Sequence, residues 1–205
     1  MADFSRNIII RNATADDVPF VTGCVLASVD LYDFRSPSVE TETAEKVCAM
    51  DGTLYSFRNA RIACVAGTPV GCLVSYDGAT YPQARAKTFR IFAEDGHAMT
   101  DTEMETGPGE WYLDSMSILP SFRGYGIGRI LMLDAIKRAK GSGFTKASLI
   151  VEESKPKLQE YYASLGFVRE REIHAFGDSY TRMVLTIDNA SWRSHTSEKR
   201  AKNSG

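Results

Sequence analysis

The chain has few of the residues that build metal centres and disulfide scaffolds. Its 205 residues include four cysteines and three histidines. The cysteines form no Cys-x-x-Cys pair, and the histidines lie far from them and from each other along the sequence. This spacing does not match any zinc site, so we expect no metal. Four free thiols in a reducing compartment are the expectation.

Long apolar runs and an excess of one charge are also missing. No apolar run approaches the roughly 18 residues that a membrane span needs, and residues 1–7 lack the features of a signal peptide. The 24 lysines and arginines nearly balance the 26 acidic residues, for a net charge of −2. Such a balance gives no overall attraction to nucleic acid or to an anionic membrane. The sequence therefore predicts a cytoplasmic protein that binds neither.

The composition is that of an ordinary globular domain, with 43% hydrophobic and 24% charged residues. We expect one domain over 1–187, with an insertion at about 81–109, and a polar, flexible tail over 188–205. Apolar periodicity predicts a mixed α/β order of strands and helices. Strands are expected at 7–11, 61–66, 69–76, 111–119, 147–151, 168–175 and 179–187, and helices at 14–32, 38–50, 81–92, 127–139 and 156–165.

Connection lengths predict how these strands pair. The two short hairpins are antiparallel, whereas the strand–helix–strand unit at 111–151 is expected to be parallel. The strand at 179–187 is expected at an exposed edge, where a second copy could pair, so monomer and homodimer both stay open. Six acidic residues lie at 94–110. They are expected to belong to a solvated loop, to make an oligomer contact or to attract a cationic amine.

The most specific stretch is a glycine-rich turn between the strand at 111–119 and the helix at 127–139. Its residues are Arg123, Gly124, Tyr125, Gly126, Ile127 and Gly128. Glycines let backbone amides crowd together at a helix N-terminus, which is typical of a pyrophosphate cradle. The dinucleotide pattern Gly-x-Gly-x-x-Gly fails at Arg129, and the Gly-Lys-Ser/Thr of a P-loop is missing.

The pattern that fits is Arg-x-x-Gly-x-Gly, which resembles the acyl-CoA-binding signature of the GNAT superfamily of N-acetyltransferases. The approach at 114–120, Asp-Ser-Met-Ser-Ile-Leu-Pro, resembles that family's central strand. The stretch at 161–167, Tyr-Tyr-Ala-Ser-Leu-Gly-Phe, resembles its late Leu-Tyr-x-x-x-Gly-Phe motif. The resemblance covers about residues 7–187. It implies a single domain whose mostly antiparallel sheet contains one splayed parallel strand pair, with helices on its sides.

The resemblance also implies a reaction and a donor site. The reaction is transfer of an acetyl group from acetyl-CoA to a primary amine of a small molecule or a peptide. The backbone of Met116, Ser117 and Ile118 would pair with the pantetheine arm, while the glycine-turn amides hold the pyrophosphate. The family often has an asparagine where this chain has Lys155, so either Ser154 or no residue makes that contact.

The implied acid is a tyrosine near the end of the domain. The leaving thiolate must gain a proton, and a tyrosine, whose pKa is near 10, can supply it. Tyr162 matches the family's tyrosine by its offset from Gly166-Phe167. The alternative is that Tyr162 is a wall aromatic that only packs.

Two carboxylates on or before the central strand, Asp114 and Glu110, are candidates for the base that deprotonates the amine. For each, the alternative is a plain solvated or hydrogen-bonded carboxylate. Strand alternation predicts that Asp114 shares a face with Tyr112, Met116 and Ile118. The rival to the enzyme is a non-catalytic acyl-CoA-binding module that serves as a sensor or scaffold.

Overall fold

The computed structural model describes residues 8–34, 41–97 and 103–187. Residues 1–7 and the predicted tail at 188–205 lie outside this description. None of the helices in the described ranges has the length and apolar composition to cross a membrane. The strands and α-helices are, in chain order, β1 (Ile8–Asn12), α1 (Val18–Ser28), α2 (Glu42–Ala49), β2 (Ala60–Val65), β3 (Thr68–Asp77), α3 (Tyr81–Glu94), β4 (Trp111–Ile118), α4 (Ile127–Gly141), β5 (Lys146–Glu152), α5 (Pro156–Ala163), β6 (Val168–Ala175) and β7 (Asp178–Thr186).

The seven strands form one mixed sheet in the order β1-β2-β3-β4-β5-β7-β6. The β4–β5 pair is parallel, and the other neighbours in the described sheet are antiparallel. This order confirms the predicted α/β domain with a mostly antiparallel sheet. It also follows from the connections, because a hairpin reverses the chain whereas the crossover helix α4 returns it in the same direction.

The predicted edge strand at 179–187 is wrong, because β7 lies between β5 and β6. Its residues Thr181 to Leu185 are all buried, as is typical of a strand covered on both faces. By contrast, the first five residues of β6 are exposed. The edges of the described sheet are therefore β1 and β6, and the pairing of a second copy through 179–187 is excluded.

Helices cover both faces of the sheet and enclose two separate cores. On one face, α1, α2 and α3 contribute Val21, Cys48 and Ala84. On the other face, α4 and α5 contribute Leu131 and Tyr162. Each core side chain removes apolar surface from water, at about 25 cal/mol per Å². The sheet is thus a partition between two layers of helices.

The partition opens where β4 and β5 separate. Within the described residues, their register pairs are Trp111 with Ala147 and Tyr112 with Ser148, and the two strands diverge beyond these pairs. β4 also carries a β-bulge, since Leu113 pairs with Ser75 and Ser115 pairs with Val74. Asp114 is the extra residue of this bulge, so the strand alternation changes sides there.

The bulge corrects the expected alternation along β4. Asp114 does lie on the face of Tyr112, where it reaches Tyr76. Met116 and Ile118 instead pack against the core beneath α4. The extra residue therefore reverses the alternation of side chains between the first half of β4 and the half next to the glycine turn.

The segment before β4 crosses the end of the sheet and is attached to it closely. The amide of Gly78 donates to the carbonyl of Glu110 at 2.9 Å, and the amide of Glu103 donates to the carbonyl of His174 at 3.1 Å. A Cβ on Gly78 would lie 2.2 Å from the carbonyl oxygen of Gly107. Only glycine allows so close an approach of two backbones. This contact positions residues 103–110.

We expect Gly78→Ala to weaken this attachment, because its methyl group would overlap backbone atoms. Overpacking costs about 1–3 kcal/mol of unfolding free energy, which urea unfolding would report as a lower midpoint. The matched control is Gly107→Ala, since a methyl group there meets no described atom within 4 Å. The control should stay within about 0.5 kcal/mol of the parent, and equal midpoints for the two variants would contradict this packing.

Candidate active site

A cleft of about 110 Å³ lies where β4 and β5 separate. It takes side chains from both cores, since Tyr112 belongs to one and Tyr162 to the other. The cleft therefore passes through the sheet and joins its two faces. Its lining includes Ser28, Val29, Tyr55, Glu105, Tyr112, Asp114, Ser115, Met116, Ile150, Val151, Glu152, Lys155, Leu158, Tyr162, Phe176 and Tyr180.

Asp114 lies in this cleft, and its surroundings favour the protonated, neutral form of its carboxyl group. The Tyr76 hydroxyl donates to its Oδ2 at 2.5 Å, and the Ser115 hydroxyl donates to its Oδ1 at 2.9 Å. Burial and then the charge of Glu105 raise the pKa of Asp114 to about 7, although both hydrogen bonds act to lower it. A carboxylate with such a pKa can accept a proton near neutral pH and release it again.

Glu105 is a second carboxylate of the cleft and was not predicted. It is 6% exposed and accepts hydrogen bonds from the hydroxyls of Tyr81, at 2.8 Å, and Tyr112. Burial raises its pKa. The backbone carbonyl of Glu105 accepts from Arg182 Nε at 3.0 Å, which holds its segment on β7. Local sequence offered no signal, because Glu105 stands among acids expected in an irregular loop.

Tyr162 reaches the cleft from α5. It is 9% exposed, and its ring packs against Tyr161 at 5.4 Å and Phe167 at 6.1 Å between centroids. Burial raises the pKa of its hydroxyl, so this hydroxyl carries its proton at neutral pH. The structure thus brings Tyr162 and Asp114 to one cleft.

Tyr161 points elsewhere. Its hydroxyl lies 3.5 Å from the position of a Cβ on Gly128, beside Met116, and is buried without a hydrogen-bond partner among the described residues. The two adjacent tyrosines of α5 therefore lie in different surroundings. Tyr162 faces the cleft, and Tyr161 faces the first turn of α4.

Glu110, the other candidate base, does not line this cleft. Its carboxylate accepts from Arg182 Nη2 and from the Thr106 hydroxyl, at 2.9 Å for the latter. Burial would raise the pKa of Glu110, but the hydrogen bond and the charge of Arg182 outweigh it and the pKa is lowered. The structure therefore places Glu110 in a buried ion pair that binds the 103–110 segment to β7.

Ser154 also lies apart from the other predicted residues. Its hydroxyl donates to Glu152 Oε2 at 2.9 Å, and it borders a polar surface beside the 177–179 turn. The next residue, Lys155, lines the cleft instead. Its ammonium donates to Glu152 Oε1 at 2.8 Å and to Asp30 Oδ2 at 2.7 Å.

The glycine turn has the geometry of an anion site. Gly124 and Gly126 have φ of +83° and +78°, and a Cβ on either would meet no described atom within 4 Å, so their outer side is open. The first amides of α4 have no partner within the helix and add partial positive charge. Arg123 Nε donates to the Ile118 carbonyl at 3.1 Å, which holds the turn against the end of β4.

The edge of β4 that faces β5 is available beside this turn. Residues 116–118 pair with Gly71, Cys72 and Leu73 on the β3 side. On the other side the described register with β5 has already ended. An extended ligand can pair with such an edge as an added strand.

A family model described as the acetyltransferase (GNAT) family matches residues 29–167, which is more than half of the chain. The chain belongs to the GNAT family. No curated protein matches this GNAT chain. The resemblance seen in the glycine turn and in the 161–167 stretch is thereby confirmed, and the chain is an N-acetyltransferase enzyme.

Solved acetyltransferase structures share the fold of the GNAT chain. One crystallised acetyltransferase is 27% identical, with a TM-score of 0.70, over 88% of this chain and 100% of its own. An N-acetyltransferase from Staphylococcus aureus Mu50 is 17% identical, with a TM-score of 0.70, over 86% and 100%. The NatC complex bound to Gag peptide and CoA is 14% identical, with a TM-score of 0.54, over 89% and 99%.

The charge of Glu105 should be measurable in the titration of Asp114 in this GNAT chain. We expect Glu105→Gln to shift the Asp114 pKa below its value of about 7, because a neighbouring negative charge disfavours ionisation. Carbon NMR of the aspartate carboxyl groups checks this. Glu94→Gln is the control, since that exposed acid pairs with Arg90 on α3. An unchanged Asp114 pKa in Glu105→Gln would contradict the coupling.

Proposed function

We propose that this enzyme transfers an acetyl group from acetyl-CoA to a primary amine by direct attack. The observation that carries the proposal is the presence of Asp114 and Tyr162 in one cleft, at the point where β4 and β5 separate. A base and an acid on either side of one reacting centre can serve both proton transfers of aminolysis. Glu110 and Ser154 have no part in the proposal.

The donor site is proposed along β4 and the glycine turn. The pantetheine amides would pair with the backbone of Met116, Ser117 and Ile118, whose outer edge is available. The pyrophosphate would accept from the amides of the turn at 124–128, where positive φ angles turn the backbone outward. Arg123 contributes a full positive charge beside the phosphates.

The chemistry then follows from the two side chains. Asp114, ionised above its pKa of about 7, accepts a proton from the acceptor ammonium. The freed amine attacks the thioester carbon, and an amide on the available edge of β4 stabilises the oxyanion. The intermediate collapses by breaking the C–S bond, and Tyr162 donates its proton to the leaving thiolate. The resulting phenolate takes up the extra proton of the acceptor nitrogen, and Asp114 releases its proton to water. The products are the N-acetylated amine and free CoA.

A cytoplasmic location is part of the proposal. Its support is chemical, since Cys24, Cys48, Cys64 and Cys72 are free thiols in the structure, and free thiols suit a reducing compartment. Monomer and homodimer both remain compatible with the exposed edges β1 and β6.

The donor site is tested by calorimetric titration with acetyl-CoA. We expect micromolar binding by the parent and loss of measurable binding in Gly126→Glu, because a carboxylate would fill the cradle and repel the pyrophosphate. Gly143→Glu is a matched control at the other end of α4, since Gly143 has the same open surroundings and a φ of +86°. Equal binding by both variants would contradict the assignment, and no binding by the folded parent would overturn it.

The catalytic pair is tested by thiol release across pH. We expect kcat/KM of the parent to rise with pH through about 7, the pKa of Asp114, because the base must be ionised. Asp114→Asn should abolish this inflection and lower kcat by about 100-fold or more, and Tyr162→Phe should lower kcat by about the same factor.

Two controls separate catalysis from structure in this experiment. Asp51→Asn changes an aspartate whose side chain is 67% exposed, and Tyr161→Phe removes the neighbouring hydroxyl that faces α4. Both controls should keep kcat within about threefold of the parent, a free-energy change of about 0.6 kcal/mol. A parent-like pH profile in Asp114→Asn would remove Asp114 as the base.

A further inference from the structure

A second cavity, of about 340 Å³, adjoins the cleft. The two spaces share five lining residues, namely Val29, Tyr55, Glu152, Phe176 and Tyr180. A molecule that reaches from the cavity into the cleft therefore passes between the end of α1 and the 176–180 turn. We call this second space the side cavity.

The side cavity lies on the opposite face of the sheet from the glycine turn. Its walls come from α1, α2 and α3, through Leu26, Ala44 and Phe92, and these helices cover the core that α4 does not touch. The proposed donor site follows α4 and the outer half of β4. The side cavity is thus suited to the other substrate, the acceptor.

The deep walls of the side cavity are apolar. Val25, Leu26, Ala44, Cys48 and Phe92 contribute hydrocarbon or sulfur surface to it. Peptide groups placed against such walls would lose their hydrogen bonds to water without replacement, at a cost of about 1–3 kcal/mol each. A hydrocarbon group instead gains about 0.8 kcal/mol for each buried methylene. The walls therefore favour an apolar group over a polypeptide.

The volume of the side cavity limits the size of that group. An engineered apolar cavity of about 150 Å³ accepts benzene. The side cavity is somewhat more than twice that volume, so it accommodates a group of about six to twelve carbons.

Charges beside the side cavity favour a cation. Glu152 lines both spaces, and Asp178 lines the side cavity. Lys155 is paired with both Glu152 and Asp30. Among the residues that the structure describes, this single lysine against three carboxylates leaves two negative charges beside the passage, before Asp114 is counted. An ammonium group on an otherwise apolar molecule complements this arrangement.

We propose that the acceptor is a small primary amine with an apolar body of about six to twelve carbons, which occupies the side cavity and directs its amino group to Asp114. This inference rests on the proposed function and assigns its acceptor class. The amino group enters between Glu152 and Tyr180, and the hydrocarbon lies against α1, α2 and α3.

The test combines thiol release with ethylamine, butylamine, hexylamine and 1,4-diaminobutane as acceptors. We expect kcat/KM to rise about fourfold for each added methylene, which is the conversion of the burial energy per methylene. Butylamine should exceed 1,4-diaminobutane at least tenfold, because the second ammonium would be buried against apolar walls. An equal or higher kcat/KM for the diamine, or for a short peptide with a free N-terminus compared with hexylamine, would overturn the inference.

Leu31→Trp tests the location of the site, since Leu31 lines the side cavity but not the cleft and is 58% exposed. We expect it to abolish the gain from added methylenes and to leave ethylamine turnover within about threefold. Val168→Trp is the matched control, a substitution to tryptophan at another exposed aliphatic residue, on β6. A gain per methylene that stays parent-like in Leu31→Trp would overturn the assignment to the side cavity.

Calorimetric titration with hexylamine separates failure of this inference from failure of the proposed function. If ethylamine is acetylated but kcat/KM does not rise with added methylenes, the acetyltransferase proposal holds and the apolar acceptor is overturned. If no amine causes thiol release, the proposed function is overturned. Hexylamine binding that Leu31→Trp abolishes and Val168→Trp keeps would still support the side cavity as its site. Absence of hexylamine binding to the parent would overturn the inference.

Discussion

The parting of β4 from β5 after two register pairs is the constraint on which the rest of the structure depends. A sheet with helices on both faces normally separates two cores completely. Here the missing pairs leave a passage through it, and backbone groups along that passage are available to a ligand. The glycine turn lies on one side of the passage and the side cavity on the other. In the proposed reaction, the two substrates therefore reach Asp114 and Tyr162 from opposite faces of the sheet.

Burial of carboxylates in this passage costs desolvation free energy, and hydrogen bonds from tyrosine hydroxyls offset part of it. Asp114 and Glu105 accept from the hydroxyls of Tyr76, Tyr81 and Tyr112. Tyrosine supplies donors without a compensating positive charge, so these hydrogen bonds satisfy the oxygens while burial keeps the pKa of Asp114 high. Glu110 shows the opposite outcome, because the charge of Arg182 lowers its pKa. The partner's charge thus decides whether the pKa of a buried carboxyl group is raised, as in Asp114, or lowered, as in Glu110.

Sequence reasoning predicted those parts of the molecule that depend on residues close together in the chain. The turn before α4, the parallel crossover and the position of Tyr162 on a helix beside the cleft each depend on a short stretch with a local pattern. Glu105 does not, since its burial arises from contacts with α3, β4 and β7. The same is true of Glu110, whose partner Arg182 is distant in sequence. The face of Met116 was mispredicted because one bulged residue reverses alternation, and β7 because hairpin patterns leave open which strand lies inside.

The inner position of β7 also has a consequence for how the chain reaches its fold. Of the strands that the structure describes, β7 is the last in chain order, yet β5 and β6 are joined in the sheet through it. During synthesis, β1 to β4 can associate as soon as they emerge, whereas the edge of β5 that pairs with β7 must wait for residues 28 to 40 positions downstream. Until then the N–H and C=O groups of this edge are unpaired, and such edges attract other chains. Between synthesis of β5 and of β7, we therefore expect this edge to be open to association with other chains.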